Sequence, residues 1–248
     1  MWDGDGQDTY DFSVYSTPLS IDLSPGGISD LDVGGVHQRA DLGAFDVLAA
    51  PIDAPLEPIY ARGHLFNSFL FDDDPRSLIE HAIGGTASDF LLGNVASNRL
   101  EGGDGNDILD GREGDDQLLD GAGEDRLTGG LNADVFVLAA DGQVDVITDF
   151  DNTSDLIDIS AWAIADISQI TIAATSLGTQ LQFQQEILNL EGVDVASFDS
   201  SRLIGFAPLN ANGLSPQSLP IAPFSIASLP MTPLPITPLS GSSSPISS

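Results

Sequence analysis

The sequence contains no cysteine and no lysine, and its seven basic residues are all arginine. Without cysteine the chain forms no disulfide bonds and has no thiol chemistry. Its 38 acidic residues give a formal net charge of −31, which disfavours nucleic acid and anionic lipid as partners. A compact state with this charge requires bound cations or a salty medium. No run of about 18 apolar residues is present, so we expect no transmembrane helix.

An internal repeat occupies the middle of the chain. From Gly84 to Val137 the sequence divides into six consecutive units of nine residues, and five of the six begin with glycine. We number the units one to six and the positions within each unit as places one to nine. Place six holds Asp89, Asn98, Asp107, Asp116, Asp125 and Asp134. Place eight holds Leu91, Leu100, Leu109, Leu118, Leu127 and Phe136. An isolated copy near the start contributes Asp3, Asp5 and Asp8.

The unit combines the features of a cation-binding turn with those of a short strand. Glycine at places one, two and four permits positive φ, which lets backbone carbonyls face inward. The place-six carboxylate adds to the same concavity, and calcium accepts carbonyl and carboxylate oxygens together. We therefore expect a turn over places one to six and a three-residue strand over places seven to nine. The predicted ligands are the place-six residues, the isolated Asp3, Asp5 and Asp8, and the glycines Gly103, Gly105, Gly114, Gly121 and Gly123.

Two units make one coil of a predicted parallel β-roll. Units one, three and five then stack along one edge and units two, four and six along the other, giving about four calcium sites between stacked turns. Units one and two have Ala87 and Ala96 at place four, and unit two has Asn98 at place six, so we expect weaker sites there. The core of such a coil is thin and stacked carboxylates repel, so we expect folding to require calcium.

The predicted fold class is all-β, a parallel β-roll flanked by further strands. We divide the chain into residues 1–36, an N-terminal strand segment with the first repeat copy; 37–76, an irregular insertion; 77–140, the roll; 141–207, a C-terminal β cap; and 208–248, a tail. Strands are expected after the roll at 145–150, 156–160, 170–174, 180–184 and 187–190. Nine of the 15 prolines lie in the tail, which we expect to be disordered.

The repeat matches G-G-x-G-x-D-x-U-x, the known calcium-binding nonapeptide of RTX proteins. A second resemblance links residues 2–13, 21–23 and 79–85 to the C-terminal half of serralysin-type secreted metalloproteases. Segments 145–150 and 155–160 resemble strands that follow the roll in that family, and 187–204 resembles end segments of type I secreted proteins. The resemblance implies a secreted bacterial protein that binds several calcium ions, leaves through a type I exporter and folds outside.

Three functions follow as hypotheses. The first is a calcium-dependent folding and secretion module without its own catalytic site. The second is the C-terminal portion of a serralysin-type zinc protease, with a protease domain upstream; the zinc motif H-E-x-x-H is absent, since the histidines are His37, His64 and His81. The third is an extracellular adhesin or module that binds anionic polysaccharide through bridging calcium. We expect no enzyme activity from this chain.

Overall fold

The computed structural model describes residues 7–31, 33, 65–67 and 78–207. These residues form two long sheets and one two-stranded sheet. Sheet one contains, in spatial order, β1 (Thr9–Asp11), β5 (His81–Ile83), β7 (Arg99–Asp104), β9 (Gln117–Ala122), β11 (Val135–Val137), β13 (Leu156–Asp158) and β17 (Leu203–Ile204). Sheet two contains β14 (Thr171–Ala174), β15 (Gly178–Phe183), β16 (Glu186–Glu191), β12 (Val144–Ile147), β10 (Arg126–Leu131), β8 (Ile108–Glu113), β6 (Phe90–Leu92) and β2 (Ser20–Asp22).

The remaining elements are short. The two-stranded sheet pairs β3 (Ile28–Ser29) with β4 (Leu65–Phe66). Three 3₁₀ helices cover Ser160–Trp162, Ile167–Gln169 and Ser200–Arg202. In the part of the chain that the structure describes, no helix is long and apolar enough to cross a membrane.

Consecutive strands of the repeat alternate between the two long sheets. Within the array each strand pairs in parallel with the strand 18 residues further on, as in Arg99 with Gln117 and Phe90 with Ile108. Two nine-residue units therefore make one coil, as the period predicts, and the all-β parallel roll is confirmed. Beyond the array the offset grows: Arg126 pairs with Val146 and Val135 with Leu156, offsets of 20 and 21 residues.

The interior of the roll is one layer of place-eight side chains from each sheet. Leu91, Leu100, Leu109, Leu118, Leu127 and Phe136 are completely buried. Ala82 extends the layer before the array, and Ile147 and Ile157 extend it afterwards. Each buried leucine contributes about 1.5–3 kcal/mol. Because the layer is one side chain deep on each side, the core is as thin as the repeat predicts.

Strand length is where the expected division of the unit is wrong. Strands β7 to β10 have six residues instead of three and continue into the first places of the next unit. Parallel pairing continues through place two, where Gly103 lies opposite Gly121. Glycine allows two backbones to come this close: a Cβ on Gly121 would lie 1.9 Å from the Gly103 carbonyl oxygen.

Strands from both flanks extend the roll. β1 pairs with β5 and β2 with β6, so the N-terminal segment adds one strand to each long sheet. After the array, β12 to β16 overlap the five expected segments, and the largest difference is at β12, which ends three residues early. β15 forms antiparallel pairs with β14 and β16, which end sheet two. The predicted domain boundaries stay predictions. Most of 37–76 and all of 208–248 lie outside the described residues.

Candidate metal centre

The place-six side chains form two ladders, one along each edge of the roll. We call the edge with the turns of units one, three and five the odd edge and the other the even edge. All six side chains are buried, and none is more than 3% exposed. The odd edge stacks Asp89, Asp107 and Asp125; the even edge stacks Asn98, Asp116 and Asp134. The structure brings these candidate residues together in the predicted order.

Backbone hydrogen bonds fix the orientation of every ladder carboxylate. The N–H of Asp89 donates to Asp107 Oδ1 at 2.7 Å, and the N–H of Asp107 donates to Asp125 Oδ1 at 2.7 Å. On the even edge the N–H of Asp116 donates to Asp134 Oδ1 at 2.9 Å. One oxygen of each carboxylate is thus used to hold the coils together, and only Oδ2 is left for another ligand.

Four of these second oxygens have no partner. Oδ2 of Asp107, Asp116, Asp125 and Asp134 is buried and accepts no hydrogen bond. A buried acceptor without a donor costs about 1–3 kcal/mol, and more when it is charged. Four such oxygens in register favour a positively charged ligand at these turns, and carboxylate oxygen is a donor that a hard cation such as calcium prefers.

Glycine at place one keeps space beside these oxygens. A Cβ on Gly102 would lie 2.4 Å from both Asp107 Oδ2 and the backbone oxygen of Asp120. On the even edge a Cβ on Gly111 would lie 2.2 Å from Asp116 Oδ2 and 2.7 Å from the Gly129 oxygen. A carboxylate oxygen and a carbonyl oxygen of the next coil therefore lie on the same side of each glycine, which is the mixed donor set that calcium accepts.

The backbone of units three to six is left-handed at places two and four. The predicted ligand glycines all have positive φ: Gly103 104°, Gly105 129°, Gly114 119°, Gly121 99° and Gly123 140°. The other residues at these places share it: Arg112 80°, Gly130 102° and Asn132 91°. We call these four turns, with their unpartnered Oδ2, the open turns.

The turns of units one and two satisfy themselves, and we call them closed turns. The N–H of Gly85 donates to Asp89 Oδ2 at 2.6 Å, and the N–H of Asn94 donates to Asn98 Oδ1 at 2.7 Å. Neither turn has positive φ at place two or four. In unit two the Asn98 amide also donates to the Glu80 carbonyl at 3.1 Å. The same carbonyl also accepts from the N–H of Arg99 at 2.9 Å, so the Asn98 amide is a second donor to it.

Burial raises the pKa of the open-turn carboxyls. It brings the pKa of Asp107, Asp116 and Asp125 to about 7 and that of Asp134 to about 6. Backbone N–H donors to Oδ1 lower each pKa in part, and neighbouring carboxylates raise it further. The shifts show that the ionised carboxylates are unfavourable in these turns when no cation neutralises them.

Parts of the chain match two known protein families. Residues 83–118 and 110–141 match the family described as RTX calcium-binding nonapeptide repeat (4 copies). Residues 1–49 match the family described as peptidase M10 serralysin C terminal. The array consists of RTX calcium-binding repeats. The matched families are repeat and C-terminal regions of secreted proteins, so the chain contains calcium-binding repeats and a secretion-associated module.

Two solved structures that are similar to this chain are subunits of one epimerase. The chain is similar to the AlgE6R3 subunit of the Azotobacter vinelandii mannuronan C5-epimerase, with 25% identity, 64% of this chain and 94% of that chain covered, and a TM-score of 0.43. The AlgE6R2 subunit of the same epimerase has 31% identity, covers 51% of this chain with 92% of its own, and has a TM-score of 0.43. None of the curated proteins matches this chain.

The ladders continue past the RTX array, which sequence reasoning missed. The N–H of Asp125 donates to Asp145 Oδ1, and the N–H of Asp134 donates to Asp155 Oδ1, both at 3.1 Å. The signal was present: each aspartate stands two residues before a buried isoleucine, Ile147 or Ile157, which is the spacing of places six and eight. A search for a strict period of nine residues does not find these two aspartates, because the coils that contain them are two and three residues longer.

The isolated first copy stays a prediction. Asp3 and Asp5 lie outside the described residues. Asp8 lies next to β1, where its N–H donates to Glu80 Oε2 at 2.9 Å and its carbonyl accepts from the N–H of His81 at 3.0 Å. These contacts serve strand pairing between β1 and β5.

Proposed function

We propose that calcium binding to the open turns folds this chain, and that the chain is the calcium-dependent folding and secretion module of an extracellular protein. The observation that carries the proposal is the set of four buried, unpartnered carboxylate oxygens on Asp107, Asp116, Asp125 and Asp134. These four residues would hold the ions, Asp107 and Asp116 together with the place-one carbonyls of Asp120 and Gly129 on the following coil. Bound calcium would supply the positive charge that the ladders lack.

The energetics favour a fold that requires calcium over a fold that forms without calcium and merely binds it. The core of the roll is one layer of apolar side chains from each sheet, whereas ordering each residue costs about 1–2 kcal/mol of backbone entropy. The chain has no disulfide, and its formal charge of −31 opposes compaction. Since the binding site does not exist in the unfolded chain, the free energy of calcium binding becomes free energy of folding.

Calcium suits the open turns better than magnesium. Calcium takes six to eight oxygens in flexible geometry, including backbone carbonyls, whereas magnesium keeps several waters and demands an octahedron. The donors beside Gly102 and Gly111 are one carboxylate and one carbonyl oxygen each, held by a backbone with little freedom to rearrange. We therefore expect calcium to induce folding and magnesium to fail at the same concentration.

The open turns also set the expected number of ions. Four unpartnered oxygens give about four ions, the number expected from the sequence, but displaced by one unit on each edge. In this proposal each of units three to six holds one ion. The sequence instead predicts the ions between stacked turns, starting with units one and two. The expected weakness of units one and two becomes, in this proposal, the absence of an ion there, because their acceptors already have donors.

Circular dichroism tests the folding proposal directly. The purified chain is titrated with calcium, then with a chelator, with magnesium and with sodium chloride at matched ionic strength as controls. We expect a calcium-specific rise in β signal that chelation reverses. A β-rich signal without metal that calcium leaves unchanged would refute metal-coupled folding, and an equal response to sodium chloride would reduce it to charge screening.

The secretion role follows from the same equilibrium. A chain unfolded at low cytosolic calcium is competent for a type I exporter and folds outside, where calcium is high. Co-expression with such an exporter should release the chain into the medium. Retention in the cell of a chain that is unfolded without calcium would contradict this role while leaving calcium-dependent folding intact. A casein assay with zinc and calcium tests the expected absence of catalysis.

A further inference from the structure

Unit five departs from the repeat at its first place. Asp120 stands there, where the other five units have glycine. Its side chain is buried, and Oδ1 accepts hydrogen bonds from the N–H of Gly121 at 2.6 Å and of Ala139 at 2.9 Å. Its backbone oxygen lies beside Asp107 Oδ2, on the preceding coil. Asp120 thus adds a carboxylate to the roll without removing the carbonyl that place one provides.

The Asp120 carboxylate lies beside two others. One oxygen from each of Asp120, Asp125 and Asp145 lies within 4.8 Å of the other two, and all three residues are buried. No other trio of His, Cys, Asp or Glu meets this spacing in the described residues. Asp145 belongs to the coil after the array, where sequence counting places no site. The trio therefore lies at the C-terminal end of the odd edge and includes the place-six residue of the open turn of unit five.

One residue of the trio independently indicates a ligand. Asp125 is 2% exposed, its Oδ1 accepts the N–H of Asp107, and its Oδ2 is buried with no donor. The charged neighbours that act on Asp120 are the carboxylates of Asp145 and Asp125, with no arginine among them. Three buried carboxylates without a cationic partner repel one another when ionised, so either protonation or a bound cation must neutralise them.

We propose that Asp120, Asp125 and Asp145 form a tricarboxylate cation site that binds calcium more tightly than the other turns and accepts a trivalent lanthanide in its place. The proposal rests on the proposed function, since it deepens one of the calcium sites. Calcium affinity rises with the number of charged ligands and with the rigidity of the site. Here the third carboxylate comes from Asp120, and backbone N–H donors hold all three side chains.

A tryptophan lies next to the trio and can report on it. Trp162 Nε1 donates to the Ala139 carbonyl at 2.8 Å, and the N–H of Ala139 donates to Asp120 Oδ1 at 2.9 Å. An indole one residue away from the site should sensitise terbium luminescence. The chain contains one other tryptophan, Trp2, so the Trp2→Phe variant leaves Trp162 as the single indole.

The test adds terbium to the full-length Trp2→Phe chain in sub-saturating calcium and follows luminescence on indole excitation. We expect emission to saturate with the first equivalent of terbium. Asp120→Asn, which keeps the shape and removes the charge, should weaken terbium binding about tenfold or more. Glu113→Gln, which removes an exposed place-three carboxylate on the even edge, should leave binding unchanged. Unchanged binding in Asp120→Asn would overturn the proposal.

Circular dichroism of the same proteins separates this inference from the proposed function. Loss of tight terbium binding in Asp120→Asn, with calcium-dependent folding retained, supports the site. Asp120→Gly, which restores the repeat, should also fold in calcium and lose the tight site; tight terbium binding in this variant would overturn the role of the third carboxylate. A parent chain that ignores calcium but binds terbium through Asp120 would refute the folding proposal and leave the site standing.

Discussion

The turns of units one and two share their nine-residue spacing with those of units three to six, yet the two groups satisfy buried oxygens differently. In the closed turns, the place-two N–H donates to the place-six side chain. In the open turns, positive φ at places two and four accompanies an Oδ2 with no donor. The same repeat therefore gives either a self-contained turn or one that requires a cation.

The N-terminal segment packs against the closed turns. The N–H of Leu19 donates to Asp89 Oδ1 at 2.8 Å, and the N–H of Thr86 donates to the Tyr15 carbonyl at 3.0 Å. The Asn94 amide donates to the Leu23 carbonyl at 3.2 Å. At the other end, the N–H of Asp151 donates to Asp155 Oδ2 at 2.8 Å. Closed turns thus lie where the N-terminal segment joins the array, and open turns occupy units three to six.

Removing one open-turn carboxylate should give the largest effect. We expect Asp116→Asn to lose one bound ion and, at calcium about 100-fold above the dissociation constant, to lose about 2.7 kcal/mol of calcium-dependent stability. Urea denaturation in calcium and ion counting by equilibrium dialysis measure both. The matched closed-turn variant Asp89→Asn should keep the ion count of the parent chain. Equal loss of an ion in both variants would abolish the distinction between the turns.

Replacing the closed-turn amide tests the other side of the comparison. Asn98→Asp loses the donor to the Glu80 carbonyl and adds a buried charge, so we expect a loss of about 1–3 kcal/mol in saturating calcium. The ion count should not rise, because Ala96 occupies place four of that turn and its backbone is not left-handed. A variant that gained an ion and stability would show that the charge of place six alone decides whether a turn opens.

Exchanging place four between the groups should have a smaller effect. Gly114 has φ 119°, and a Cβ there would lie 2.5 Å from the Ala96 carbonyl oxygen. Gly114→Ala should therefore cost at least about 1–2 kcal/mol in urea denaturation with calcium present. The reciprocal Ala96→Gly, in the closed turn of the same edge, should cost less, about 0.4–1 kcal/mol from chain entropy. Equal costs would mean that the two turns have the same backbone.

The smallest effect is expected at Arg112, which holds place two of unit four with φ 80°. Arg112→Gly relieves a left-handed conformation that costs a side-chain residue about 1–2 kcal/mol. It also removes the hydrogen bond from Arg112 to Ser24 Oγ at 2.6 Å. We expect a net gain below about 1 kcal/mol by urea denaturation in calcium. A loss of stability would show that the contact with Ser24 outweighs the backbone strain.

The nine-residue period predicted the features that repeat along the array and missed the residues that lie outside the period. Two units per coil, the buried place-eight layer and the two ladders follow from strict spacing. Asp145 and Asp155 were missed because coils of 20 and 21 residues break the period after Val137. In the sequence Asp120 is only the one place-one residue that is not glycine, because its proximity to Asp145 depends on how the chain returns after the array.

The closed turns show a different limit of sequence reasoning. Ala87, Ala96 and Asn98 predicted weaker sites in units one and two. The reason in the structure lies in the direction of the place-two N–H, which bonds within its own turn. The N-terminal segment also packs against these turns, and the repeat itself does not encode that contact. Strand length was also misjudged, because glycine at place two permits pairing to continue into the turn.

The most direct test is an anomalous-scattering map of crystals grown in calcium. The account predicts peaks beside Oδ2 of Asp107, Asp116, Asp125 and Asp134, with none beside Asp89 or Asn98. Peaks of equal height at all six place-six residues, or none beside the four unpartnered oxygens, would contradict it.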